Sequence, residues 1–136
     1  MATLNEISRT YDWMDIGFRM ALGPYADITC AHYDGDFTKS LEQAQLDKKG
    51  WVSEKLGYAN GGTYLDIGSG WGNMLSFIKS KDATGIGFTL SPAQQKHCRL
   101  NKLDARIQDY KTAEPLMVSG ITAIGSPEHY CSPQEY

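Results

Sequence analysis

The sequence predicts an α/β fold in which about four parallel strands form one sheet, with helices preceding the sheet at the N-terminus. Short apolar runs alternate with segments of helical periodicity from residue 64 onward, which is the order that crossover units produce. A glycine cluster follows the first apolar run, where a strand would turn into a helix. The 136 residues are 41% hydrophobic with a net charge of −3, which is sufficient for one domain with one core.

The N-terminal segment is predicted to contain two helices. Thr3 and Glu6 have the spacing of a capping box, and a helix is expected from there to Leu22, ended by Gly23-Pro24. Its apolar face is predicted from residues at helical spacing: Leu4, Ile7, Tyr11, Met14 and Phe18.

An irregular loop is expected over residues 25–39, and the second helix follows it. Ser40 is the predicted N-cap, with Gln43 as its capping partner, and Gly57 is the predicted residue just after the helix. The buried face of this helix is predicted to comprise Leu41, Ala44, Trp51, Val52 and Leu56.

A strand, a glycine turn and a helix are predicted between residues 64 and 81. The turn has glycine at positions 68, 70 and 72, where positive φ is allowed, and Asp66 lies two residues before the first glycine. This spacing resembles motif I of the Rossmann-like S-adenosylmethionine (SAM) methyltransferases. The alternative is a glycine-rich turn that binds no ligand.

Three further strands are expected, over residues 84–88, 105–108 and 121–124. Between the first two of them, Ser91 is the predicted N-cap of a helix that has Pro92 at its first position and runs to about Lys102. A ligand is expected at the carboxyl ends of these strands.

Four segments resemble the cyclopropane-fatty-acid synthase and mycolic acid methyltransferase group. Residues 65–72 (LDIGSGWG) are similar to its motif I, although the family usually has Cys at the position of Ser69. Residues 87–94 (GFTLSPAQ) are similar to its Gly-x-Thr-Leu-Ser-x-x-Gln pattern. Residues 40–45 (SLEQAQ) and 125–130 (GSPEHY) resemble its Leu-Glu-x-Ala-Gln helix start and its Glu-His pair.

The resemblance implies a SAM site. Asp66 would accept a hydrogen bond from the α-ammonium group, Thr89 and Gln94 would contact the ribose, and Asp109 would accept from the adenine amine. Four of the predicted residues have a local alternative. Asp66 would cap its own turn, and Ser91 would be a plain helix N-cap. Gln94 would be an ordinary exposed helix residue, and Asp109 an ordinary loop residue. The predicted cofactor-binding residues are Thr29, Asp66, Gly68, Ser69, Gly70, Trp71, Gly72, Thr89, Leu90, Ser91, Gln94, Asp109 and Tyr110.

Glu128 is the predicted catalytic residue. The resemblance implies that this glutamate helps to hold a bicarbonate ion, which removes a proton after methyl transfer to an alkene. The alternative for Glu128 is a surface carboxylate.

Ile28 departs from the family, which has Tyr before the position of Thr29.

The resemblance covers only the N-terminal part of the family's domain, which has a seven-stranded sheet. We expect an N-terminal helical segment, residues 1–60, that covers the cofactor, and a partial Rossmann-like core, residues 61–136. We expect the chain to be either a fragment or a reduced protein that completes its sheet through a homo-oligomer or a partner chain. Association is expected because an open sheet edge favours pairing with another strand.

The expected function is SAM-dependent methyl transfer to carbon of a lipid, an isoprenoid or another small apolar acceptor. The alternative is a truncated SAM-binding module that is inactive without a partner chain or the missing half. A nicotinamide oxidoreductase is disfavoured by the glycine spacing and by the lack of an acid after the second strand.

The composition indicates no nucleic-acid partner, because no basic stretch is present. No transmembrane run and no signal peptide are recognised, so a cytoplasmic location is expected. No metal is expected, although Cys30 and His32 with His129 and Cys131 form a weak ligand pattern.

Overall fold

The computed structural model describes residues 3–23, 26–58 and 61–129. Its helices are α1 (Leu4–Leu22), α2 (Leu41–Leu56), α3 (Asn73–Lys79) and α4 (Pro92–Leu100). Its strands are β1 (Thr63–Ile67), β2 (Thr84–Thr89), β3 (Asp104–Ile107) and β4 (Gly120–Thr122). The predictions that concern Pro24, Tyr25, Tyr130 and Cys131 lie outside the described residues.

Helix α1 has the predicted bounds and the predicted capping box. The Thr3 hydroxyl accepts from the Glu6 amide at 3.3 Å, and the Glu6 carboxylate accepts from the Thr3 amide at 2.7 Å. The side chains from Ile7 to Phe18 on the predicted apolar face are partly buried, but Leu4 is 51% exposed. Leu4, in the first turn of the helix, is therefore the member of this face that the fold does not bury.

Helix α2 also begins and ends as predicted, since Ser40 caps the amide of Gln43 at 3.2 Å and Gly57 adopts a left-handed conformation with φ of +59°. Its predicted buried face is only partly correct. Ala44 is fully buried, whereas Leu41 and Trp51 remain 43% and 49% exposed. The helix buries mainly its Ala44–Gln45 side, and that side holds polar groups described below.

The four strands are parallel and lie in the order β3-β2-β1-β4. Strand β1 is central, with Leu65 opposite Ile86 of β2 and Ile121 of β4. The outer strands are displaced slightly from their predicted bounds. Strand β4 pairs only over Gly120–Thr122, because the chain then leaves the sheet toward the positive-φ turn at Gly125.

The core lies between the sheet and the helices that follow β1 and β2. Its buried members include Tyr64, Leu75, Ile78 and Cys98, and Tyr58 packs on Tyr64 with a ring separation of 4.0 Å. The core thus fixes the sheet and leaves the carboxyl ends of β1 and β2 facing α1.

Among the described helices, none is both long and apolar enough to cross a membrane.

Candidate functional site

A cavity of about 520 Å³ lies at the carboxyl ends of β1 and β2. Helix α1 and the segment around Thr29 line one side of it, and α2 contributes two lysines. The cavity brings together most of the predicted cofactor residues: Thr29, Asp66, Gly68, Ser69, Gly70, Trp71, Thr89, Leu90, Ser91, Gln94, Asp109 and Tyr110. Gly72 and Glu128 do not line it.

The glycine turn is held tightly against its neighbours. The amides of Gly68 and Ser69 both donate to the Phe88 carbonyl, at 2.9 and 2.8 Å, which joins the turn to the end of β2. Gly68 has φ of +75°, and a Cβ atom there would lie 2.4 Å from the Ser126 Cβ atom. Gly72 faces the core instead, where a Cβ atom would meet Leu103 and Cys98. Its role is therefore to pack α3 closely.

Asp66 is buried at the end of β1, and its carboxylate accepts from the Thr122 hydroxyl at 2.7 Å. Burial raises the pKa of Asp66 to about 7, while the Thr122 hydrogen bond opposes that rise. The charge of Asp27 raises the pKa further and that of Lys48 lowers it. A cation brought into the cavity would stabilise the charged form, so the site suits an ammonium group.

The end of β2 and the start of α4 form a connected polar group. The Thr89 hydroxyl donates to Gln94 Oε1 at 2.6 Å and accepts from the Ser91 amide at 3.2 Å. The Ser91 hydroxyl caps the Gln94 amide at 3.1 Å. Ser91 is therefore a helix cap, as in its alternative interpretation, and it also lines the cavity. Gln94 is 4% exposed and is not an ordinary surface residue.

Two acids of α1 that the sequence analysis did not single out attach this helix to the site. The carboxylate of Asp12 accepts from the Ser91 hydroxyl and from the Ala93 amide. The carboxylate of Asp15 accepts from the Trp71 indole at 2.6 Å and pairs with Arg19 at 2.7 Å. Their spacing of three residues places them on one side of the helix, which is the only sequence signal for this role.

The sequence analysis also did not identify a polar network around Thr29. The carboxylate of Asp27 accepts from Lys48, from the Thr29 hydroxyl at 2.7 Å and from the Asn73 amide group. Gln45 donates to the Thr29 carbonyl at 2.8 Å, while its Oε1 atom is buried without a partner among the described residues. Gln45 and Lys48 lie three residues apart on one face of α2, so helical periodicity could have indicated them.

Two of the remaining predicted residues also belong to the cavity. Asp109 and Tyr110 line it, and the Asp109 carboxylate accepts from the Lys111 amide at 3.1 Å, which agrees with the alternative of a local role in the loop.

Glu128 is exposed. Its neighbour His129 lines the cavity and contacts the Tyr11 hydroxyl at 2.9 Å. Burial raises the pKa of Tyr11, and the charge of Glu128 adds to that effect.

A second, smaller cavity of about 240 Å³ opens beside the first. It shares Ile7, Tyr11, Ile28 and His129 with the larger cavity. Its other lining residues are Glu6, Thr10, Met14 and Phe18, and the surface that these residues expose to the cavity is mainly apolar. In the described parts of the chain, no group of three metal-ligating side chains comes together, and Cys131 lies outside them.

Comparison with known proteins places this chain in a family. A model of the mycolic acid cyclopropane synthetase family matches residues 1–133. Cyclopropane mycolic acid synthase 1 of Mycobacterium tuberculosis is 32% identical in an alignment of 135 positions, which covers 92% of this chain and 46% of that protein. Cyclopropane mycolic acid synthase MmaA2 of Mycobacterium bovis is 34% identical in an alignment of 137 positions, with the same two coverages of 92% and 46%.

Solved structures give the same result. Mycolic acid cyclopropane synthase CmaA1, in a complex with SAH and CTAB, superimposes with a TM-score of 0.85 at 28% identity, over 95% of this chain and 48% of that one. A coclaurine N-methyltransferase superimposes at 17% identity with a TM-score of 0.66, which supports the fold alone. The fold is therefore Rossmann-like and of the SAM methyltransferase type, and the chain spans about half the length of the curated relatives it matches.

Proposed function

Because the chain belongs to the mycolic acid cyclopropane synthetase family, we propose that it carries the SAM site of a methyltransferase that acts on carbon of a lipid or another apolar acceptor. The observation that carries the proposal is the cavity at the ends of β1 and β2. It is lined by predicted cofactor residues from four separate parts of the sequence, between Thr29 and Tyr110.

The residues around the cavity fit SAM in size and in charge. Its volume of about 520 Å³ is within the range of small-molecule sites. Asp66 is a desolvated carboxyl group that a ligand ammonium would stabilise. A Cβ atom at Gly70 would meet nothing closer than 4.0 Å, so the bare backbone leaves room for a ligand to approach.

Bound SAM would supply an electrophilic methyl group attached to a sulfonium. The residues of this chain would contribute position rather than acid or base catalysis, because displacement at such a methyl group depends mainly on proximity and alignment. Asp66 would hold the amino-acid end, Thr89 and Gln94 the ribose, and Asp109 the adenine. The N-terminal segment would cover the cofactor, since Ile7 and Tyr11 of α1 line the cavity.

The smaller cavity supports an apolar acceptor. It joins the cofactor cavity at Tyr11, Ile28 and His129, and its other walls are largely apolar side chains of α1.

A role for Glu128 in holding bicarbonate stays a prediction, because this side chain is exposed and does not line the larger cavity. A cytoplasmic location and a partner chain also stay predictions.

Isothermal titration of the purified chain with SAM and with its demethylated product SAH tests the proposal. We expect micromolar binding, and we expect Asp66→Ala to abolish it while the variant keeps its helical circular dichroism. Absence of binding to the folded wild-type chain would refute the site. Methyl transfer to unsaturated lipids is measured in parallel, and binding without turnover would favour the alternative of a binding module that needs further chain.

A further inference from the structure

Helix α2 directs two neighbouring lysines toward the cofactor cavity, and their surroundings differ. Lys48 donates to both carboxylate oxygens of Asp27, at 3.0 and 3.1 Å, and also contacts the Thr29 hydroxyl. Its charge is therefore balanced within the protein. This lysine has a structural role, because it fixes the segment that carries Thr29 along one wall of the cavity.

Lys49 has no comparable partner. Its ammonium group donates to the Asn73 side-chain oxygen at 2.8 Å, which is a neutral acceptor. Within residues 3–23, 26–58 and 61–129, Lys49 forms no ion pair. Burial lowers the pKa of Lys49; the negative charge of Asp27, which is ion-paired with Lys48, opposes that shift, and the positive charge of Lys48 adds to it. A partly desolvated cation that lines a ligand cavity without a counterion is costly, and an anion from a ligand would remove that cost.

We propose that Lys49 binds the carboxylate of the amino-acid end of the ligand whose ammonium group is held by Asp66. This inference rests on the proposed SAM site and adds a residue and a charge requirement to it. Asp66 and Lys49 line the same cavity, and the charge of Asp27 acts on both of them. A zwitterionic group would provide each with the opposite charge. The site would thus select a ligand with a free amino acid over one without it.

Asn73 orients the ammonium group of Lys49. Its side-chain oxygen accepts from Lys49, while its amide nitrogen donates to Asp27. The two ends of one amide therefore connect Lys49 to the Asp27–Lys48 pair. This arrangement directs the amide oxygen of Asn73 toward Lys49, so the ammonium keeps a defined position when no ligand is present.

The test compares two ligands by isothermal titration, SAH and methylthioadenosine, which has the same nucleoside without the amino-acid end. For Lys49→Gln we expect an affinity loss of about tenfold or more for SAH and no change for methylthioadenosine, since only SAH has the carboxylate. Lys49→Arg should retain most of the SAH affinity. Lys55→Gln is the matched control, because Lys55 is an exposed lysine of the same helix that does not line the cavity.

The outcomes separate this inference from the proposed function. Unchanged SAH affinity in Lys49→Gln would overturn the role of Lys49 and leave the SAM site standing. An equal loss for both ligands would overturn it too, because the substitution would then act through packing. Failure of the folded wild-type chain to bind SAH would overturn both. Thermal unfolding of each variant, expected within a few degrees of the wild type, verifies that the fold is retained.

Discussion

The carboxyl group of Asp66 has a pKa of about 7 because it is buried at the end of β1, and the hydrogen bond from Thr122 only partly offsets the loss of water. The folded chain therefore keeps the Asp66 proton to a higher pH than the unfolded chain does. The resulting stabilisation is complete below the ordinary pKa of an aspartate, near 4, and is lost as the pH rises to about 7.

We expect the ligand-free wild type to lose up to about 4 kcal/mol of unfolding free energy between pH 4 and pH 8 relative to Asp66→Asn. The reason is that the asparagine is neutral throughout this range. Urea unfolding of both proteins across this range measures the difference. Parallel pH profiles would show that folding does not raise the pKa of Asp66.

Gly68 has a further constraint besides its positive φ. We expect Gly68→Ala to destabilise the fold by about 3 kcal/mol or more, because its methyl group would overlap Ser126 as well as strain the backbone. Gly61→Ala is the control, since Gly61 has a similar φ of +78° but open space around it, and should cost about 1 kcal/mol. Equal losses in denaturant unfolding would show that the contact with Ser126 carries no cost.

At the scale of elements, the placement of α1 depends on tertiary hydrogen bonds. Asp12 connects α1 to the first turn of α4, and Asp15 connects it to Trp71 in the glycine turn. Tyr11 and Phe18 add edge-on ring contacts with Trp71, at centroid separations of 6.4 and 5.8 Å. Helix α1 is thereby held over the cavity although few of its side chains are fully buried.

Two N-cap serines allow this connection to be measured. Ser40→Ala removes a cap only, and should cost about 1 kcal/mol. Ser91→Ala removes a cap and also the hydrogen bond to Asp12, so we expect about 2–3 kcal/mol and faster amide exchange in α1. Denaturant unfolding and hydrogen exchange provide the two measurements. Slow exchange in α1 of the Ser91 variant would contradict the connecting role.

At the scale of the whole molecule, the described sheet has β3 and β4 as its outer strands. Strand β4 is short, and Ile121 on it is 52% exposed, while Met117 just before it is 98% exposed. An apolar outer strand with an unpaired edge favours association with another strand. The predicted self-association would therefore occur at β4.

We expect the purified chain to self-associate in a concentration-dependent way, and Ile121→Lys to reduce that association, because a lysine on an edge strand opposes further pairing. Sedimentation velocity over a range of concentrations measures it. Ile16→Lys is the control, since Ile16 is 67% exposed on α1 and is not part of the sheet. A monomeric wild type would refute the self-association, and an equal effect of both substitutions would place it away from β4.

Most elements of the fold could be predicted from the sequence because their signals are local. The Thr3 capping box, the Ser40 and Ser91 caps and the positive-φ glycines at 68, 70 and 72 depend on residues within a few positions of each other. Most of the predicted cofactor residues also line one cavity, since parallel strands bring their carboxyl ends together.

Only the tertiary structure determined which polar side chains the charged residues contact. Asn73 is 24 residues from Lys49, Thr122 is 56 from Asp66, and Ser91 is 79 from Asp12. No local pattern records such pairs, because they depend on how the helices are oriented on the sheet. The same packing removes water from Asp66 and Lys49, and burial shifts their pKa values in opposite directions because one is an acid and the other a base.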